Sequence, residues 1–119
     1  SNPLFITSYT RLNAHFPGLV GRWVKNYKKG LYKKMRGMHI VPDAEGELEP
    51  ARDFIQIQQQ VRTWSALRGA NMDFSIYGNK LAISSLGEKP FVVVIESADV
   101  ISALHPIFNL VWENAREIQ

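Results

Sequence analysis

The sequence of 119 residues contains no cysteine, which excludes disulfides, thiolate chemistry and cysteine-built zinc sites. It has three histidines, His15, His39 and His105, and no two stand three or four residues apart, so there is no helical metal-binding pair. It has neither a Gly-rich phosphate loop nor a Gly-x-Ser-x-Gly nucleophile elbow. No apolar run approaches the roughly 18 residues of a membrane span, and no signal peptide opens the chain. These absences lead to the expectation of a cofactor-free, metal-free chain in a reducing, cytoplasmic setting with no membrane contact. Ser1-Asn2 reads as a scar of tag removal and carries no weight.

Hydrophobic residues make up 45% of the chain, which argues against disorder, and the length suits one domain over residues 1–119. The net charge is only +3 but unevenly spread. Arg22, Lys25, Lys28, Lys29, Lys33, Lys34 and Arg36 fall within fifteen residues, and Asp43, Glu45, Glu47 and Glu49 follow. A basic run of this kind can meet phosphate. The preferred reading is a solvated helix end, where cations suit the C-terminus.

Leu4-Phe5-Ile6 reads as a short buried strand, with Ser8 and Thr10 as candidate N-caps after it. Leu12, Phe16, Leu19, Val20, Trp23, Val24 and Tyr27 recur at helical spacing. Pro17 would break one helix there and is read as the first residue of a second, which Gly30 stops. Met38 to Val41 reads as a strand ended by Pro42, residues 42–50 as an acidic loop, and Ala51 to Gln60 as a helix. Val61 to Leu67 reads as a strand with Val61, Thr63 and Ser65 on one face. Phe74 and Ile76, then Leu81 and Ile83, alternate around Gly78-Asn79, which is a hairpin signature. Phe91 to Glu96 adds another strand. Val100, Ile101, Leu104, Ile107, Phe108, Val111, Trp112, Ala115 and Ile118 form the stripe of a last helix, capped by Ser97 and kinked by Pro106 near Ser102 to His105. The expected fold class is α/β, with early parallel pairing, a later antiparallel hairpin and helices covering the mixed sheet.

No catalytic apparatus is specified. The histidines are read as structural, and Asp73 and Glu96 lie on different strands. Trp23 and Trp112 are read as core, and Trp64 as the tryptophan most suited to a pocket or interface.

Ile76-Tyr77-Gly78-Asn79-Lys80-Leu81-Ala82-Ile83-Ser84, then Val92-Val93-Val94-Ile95-Glu96, then Phe108-Asn109-Leu110-Val111-Trp112-Glu113, resemble the C-terminal phospholipase-D-like effector domain of TrmB-type transcriptional regulators. The resemblance extends upstream through Phe16-Pro17, the helix to Lys29, Gly30 and the strand ending Ile40-Val41-Pro42, and is weak over residues 43–70. It implies half of a phospholipase-D-like fold. Active enzymes of that fold carry His-x-Lys and a following Asp, whereas here Pro17, Val41 and Ile107 stand two places after the histidines. The catalytic motif is absent, and the resemblance implies a non-catalytic effector domain that senses a small molecule or dimerises. It also implies a homodimer, and DNA contact through a winged-helix domain that this sequence does not contain. The competing reading is a nucleic-acid-binding accessory module using the Arg22–Arg36 segment.

Ligands of mixed α/β sheets collect at strand C-termini, where helix N-termini offer free N–H groups. Ser8 follows the first strand, and Tyr77, Ser84 and Ser85 bring hydroxyls from the hairpin, so these four residues are the expected ligand site. The competing reading leaves Ser8 as a helix cap and Tyr77 as part of the turn.

Overall fold

Seven strands form one mixed sheet in the order β6-β5-β4-β1-β2-β3-β7 in a computed structural model that describes residues 2–31 and 35–118. The strands are β1 (Leu4–Ile6), β2 (Met38–Pro42), β3 (Gln60–Trp64), β4 (Met72–Tyr77), β5 (Lys80–Ser85), β6 (Phe91–Glu96) and β7 (Arg116–Glu117). The helices are α1 (Tyr9–His15), α2 (Leu19–Lys28), α3 (Glu45–Gln56) and α4 (Ala98–Asn114). β1, β2 and β3 pair in parallel, as crossovers through helices require, and every other pairing is antiparallel. The expected α/β class and the expected mixture of pairings are both present.

The period-2 pattern of the strands divides the core in two. One face carries Val41 and Val61 against Tyr9, Leu12, Val20, Val24, Ala51 and Phe54 of α1, α2 and α3. The other carries Leu4, Ile40, Ile76 and Leu81 against Ile101 and Phe108 of α4. Within β3, Val61 and Thr63 are buried while Arg62 and Trp64 face α4, as the alternation requires. The Gly78-Asn79 hairpin forms as expected, with Gly78 taking φ +58.

Ser8 caps α1, accepting from the Arg11 N–H at 3.2 Å. Leu31 N–H bonds Asn26 C=O and Gly30 N–H bonds Tyr27 C=O, with Gly30 at φ +75, so α2 closes in a Schellman motif. Lys33 and Lys34 lie outside the described residues.

Five expectations are corrected. Pro17 is not the first residue of α2: Gly18 is its N-cap, and Asn13 Oδ1 accepts from Val20 N–H in place of the side chain that glycine lacks. Residues 45–50 are not loop but the first half of α3, because Glu45 and Glu47 suit its positive N-terminus and Glu47 is wholly buried there. The strand read over Val61 to Leu67 ends at Trp64, and residues 65–67 make a 3-10 turn. In α4, Ile107 is 58% exposed and Val100 37% exposed, since one helix on a wide sheet buries a narrower face than its apolar stripe. Pro106 lies inside α4, which runs on unbroken to Asn114. Trp112 is half-buried rather than core, stacked on Phe108 with the Arg62 guanidinium 4.5 Å from its ring centre.

Phe108 is the buried anchor of α4. Phe108→Ala is expected to lower unfolding free energy by about 3–5 kcal/mol in urea titration, and Asn109→Ala, on the exposed side, by less than about 0.5 kcal/mol. Equal effects would show that α4 is not held through Phe108.

Candidate functional site

Two structural features sit side by side on the α1–α3 face of the parallel strands, one at their C-terminal end. Glu47, in the first turn of α3, accepts hydrogen bonds from Ser8 Oγ (2.8 Å), Thr10 N–H (3.0 Å) and Thr10 Oγ1 (3.2 Å). A carboxylate of the chain itself therefore fills the space between two helix N-termini where an anion would otherwise bind. Gly46 permits this approach, since a Cβ there would meet Thr10 Cγ2 at 2.9 Å.

Beside this clamp lies a cluster of rings. His39 is fully buried, with its ring stacked on Trp23 (centroids 5.1 Å apart, 20°) and packed on Phe54 (4.6 Å) and Phe5 (4.9 Å). His39 Nδ1 and Tyr9 Oη share a hydrogen bond of 2.7 Å, and His39 Nε2 has no partner. Burial holds the His39 pKa down at about 3, so the imidazole is neutral at physiological pH. Burial, and then the Glu47 charge, raise the Tyr9 hydroxyl well above its ordinary value. Neither group has solvent access.

The outer edge of Trp23 does reach solvent. It forms the wall of a groove of about 580 Å³ between α2 and the sheet, lined by Phe5, Leu19, Arg22, Lys25, Lys29 and Asp73 among others. Helical spacing places Arg22, Lys25 and Lys29 on one side of α2. Asp73 enters from β4, and burial raises its carboxyl pKa. The Thr7 hydroxyl faces it and favours its charged form, although the two stand outside hydrogen-bond geometry. An apolar recess of about 330 Å³, lined by Pro3, Phe5, Trp23, Tyr27, Met35 and Tyr77, adjoins the groove through Phe5 and Trp23. Cations at one end and aromatic walls at the other suit a small molecule with an anionic head and a flat or apolar body.

The four residues expected to form the ligand site take separate positions. Ser8 is buried, capping α1 and bound to Glu47. Tyr77 is 47% exposed and lines the apolar recess. Ser84 and Ser85 are half-buried and alternate across β5, Ser84 opposite Asp73 and Ser85 opposite Met72. Ser8, Ser84 and Ser85 line neither the groove nor the recess. Of the tryptophans, Trp23 forms the site wall, while Trp64 packs in the α4 core. The usable sequence signal was the interleaving of Trp23 with Arg22 and Lys25. Among the described residues, no three His, Asp or Glu side chains converge on a metal site. His15 is engaged through Nε2 with the Leu86 carbonyl.

The buried neutral His39 predicts a pH dependence. Its folded pKa of about 3 lies below the unfolded value of about 6.5, so its contribution is complete above pH 6.5 and is lost as pH falls toward 3. Asp73, raised in the fold, acts with the opposite sign, so the comparison is made against His39→Gln. Between pH 7 and pH 5 the wild type is expected to lose about 2 kcal/mol more than His39→Gln in denaturant unfolding. Parallel pH profiles would show that His39 is not held neutral.

Comparison of the chain with protein-family models, with curated proteins and with solved structures finds no match in any of the three.

Proposed function

We propose that this chain is the non-catalytic effector domain of a transcriptional regulator, half of a phospholipase-D-like fold, and that it senses a small anionic molecule in the groove beside α2. The observation that carries the reading is the convergence of Arg22, Lys25 and Lys29 on the exposed edge of Trp23, next to an apolar recess. In this reading the domain also pairs as a homodimer, and DNA is contacted by a winged-helix domain outside this sequence. Support for the non-catalytic part comes from the histidines. None belongs to a His-x-Lys pair, His39 is sealed among aromatic rings, and His15 is tied to a backbone carbonyl.

Intrinsic fluorescence titration with sugar phosphates and nucleoside monophosphates tests the sensor. Saturable quenching is expected, with affinity reduced about tenfold or more in Lys25→Glu at unchanged thermal stability. If none of these probes saturates, or if Lys25→Glu binds as well as wild type, the groove is not the sensor site.

A second reading has its own observation: α2 presents Arg22, Lys25, Lys28 and Lys29 to solvent over two turns. Here the segment grips nucleic acid. Binding of a single-stranded oligonucleotide, weakening linearly with salt on logarithmic axes, would favour it over the effector reading.

Phosphodiester hydrolysis is expected to be absent. Bis(p-nitrophenyl) phosphate should turn over no faster than in buffer. Turnover that survives repurification and disappears in His15→Ala would overturn the non-catalytic assignment.

A further inference from the structure

β6 is the edge strand of the sheet and is exposed over its whole length, on both faces. Its sequence, Phe-Val-Val-Val-Ile-Glu, is that of a strand with neighbours on both faces, not of an edge. Phe91 is 60% exposed, Val92 63%, Val94 60%, and Val93 and Ile95 45% and 38%. The run Phe91 to Ile95 holds no lysine, no proline and no charge; Lys89-Pro90 precede it and Glu96 ends it. The other edge is protected. β7 has two residues, Arg116 and Glu117, both charged.

One open edge and one closed edge limit what can be added. Copies joined open edge to open edge stop at two, because each then presents only the charged β7 edge. The backbone supports the same pairing. Ser97 N–H bonds Asn79 C=O at 2.9 Å, so by ladder alternation the odd-numbered residues of β6 bond β5 and those of Val92, Val94 and Glu96 point outward.

We infer that β6 is a dimerisation edge, which pairs antiparallel with β6 of a second copy of this chain about a two-fold axis through Val93. This deepens the dimer part of the function proposed above and rests on that reading for its setting, while its evidence is the edge itself. In this register Val93 meets Val93 of the second copy, Val92 meets Val94, and Phe91 meets Ile95. Every apolar residue of the run thus gains an apolar partner, one of them an aromatic–β-branched pair. Glu96 falls outside the apolar run, opposite Pro90. Centring on Glu96 would set two carboxylates face to face, and centring on Val92 would move the missing Pro90 N–H from the end of the ladder inward to Val94 and set Lys89 against Ile95.

The two-fold axis stands perpendicular to the joined sheet, so like faces lie on the same side. Ile95 and Val93 share a face with Leu81 and Ile83, which is the α4 side. Both α4 helices therefore lie over the same side of the junction. Each carries exposed Val100 and Ile107 flanking its buried face on that side.

Sedimentation equilibrium of the chain and of Val94→Lys tests the pairing, together with oxidative cross-linking of Val93→Cys. The natural chain has no cysteine, and a non-hydrogen-bonded pair on the axis places Cα atoms about 4.5 Å apart, within disulfide reach. Wild type is expected at twice its 13.5 kDa mass. Val94→Lys, at an exposed position, should dissociate at least about tenfold more readily with unchanged circular dichroism. Val93→Cys should give a cross-linked dimer, and an Arg116→Cys control on β7 should not. A monomer at high micromolar wild-type concentration overturns both this interface and the dimer in the proposed function. A dimer that survives Val94→Lys, together with failure of Val93→Cys to cross-link, overturns the interface alone. Open-ended oligomers overturn the closed two-fold.

Discussion

The buried Glu47 carboxylate is the constraint on which the helical layer depends. A charge taken out of water must be met by donors, and all three of its partners, Ser8 Oγ, Thr10 N–H and Thr10 Oγ1, come from the first turn of α1. Meeting that charge fixes α1 against α3, and so fixes both against the parallel strands they connect. Once α1 and α3 are set, Tyr9 and Phe54 stack at 5.2 Å, and the slot left between them and Phe5 takes His39 and Trp23. The position of Trp23, and with it the groove wall, follows from the carboxylate.

The same constraint explains where a ligand is and is not accommodated. The usual crevice at the strand C-termini is occupied by the chain's own anion. The accessible cations line instead the groove between α2 and the sheet, where Arg22, Lys25 and Lys29 flank a ring held from behind by His39. A site walled by packed rings is preorganised, and little side-chain freedom is lost when it is filled.

Much of the sheet was legible because strand periodicity is short and local. Phe74, Ile76, Leu81 and Ile83 declare their face within a dozen residues, and Gly78 declares the turn. The second half of α3 was legible and the first was not, because residues 42–50, with Gly46 and Pro50, read as an acidic loop. Only the long-range demand of Glu47 for Ser8 and Thr10, 37 residues or more away in sequence, shows why the helix starts early. The stripe marks α4 as a helix, but sequence cannot say how much of a stripe the opposing sheet covers, and Val100 and Ile107 stay outside the covered part. At the site, hydroxyls at Ser8, Tyr77, Ser84 and Ser85 drew the assignment by a general rule about strand ends. Ser8 is instead engaged by Glu47, a partnership that depends on contacts between residues distant in the chain.

The strand order carries a consequence for biosynthesis. β1 comes first in sequence order within this sheet, yet it lies in the middle of it, between β2 and β4. A chain emerging from its N-terminus can form β1-β2-β3 with its three helices early. One flank of β1 then stays open until Phe74 and Ile76 arrive, opposite Ile6 and Leu4. At about 5–20 residues per second, the 29 residues between β2 and β4 leave that flank of β1 unpaired on the order of seconds, longer than β-hairpins or short loops take to close. The nascent chain is therefore most vulnerable to mispairing at a strand that the finished protein buries completely between two neighbours.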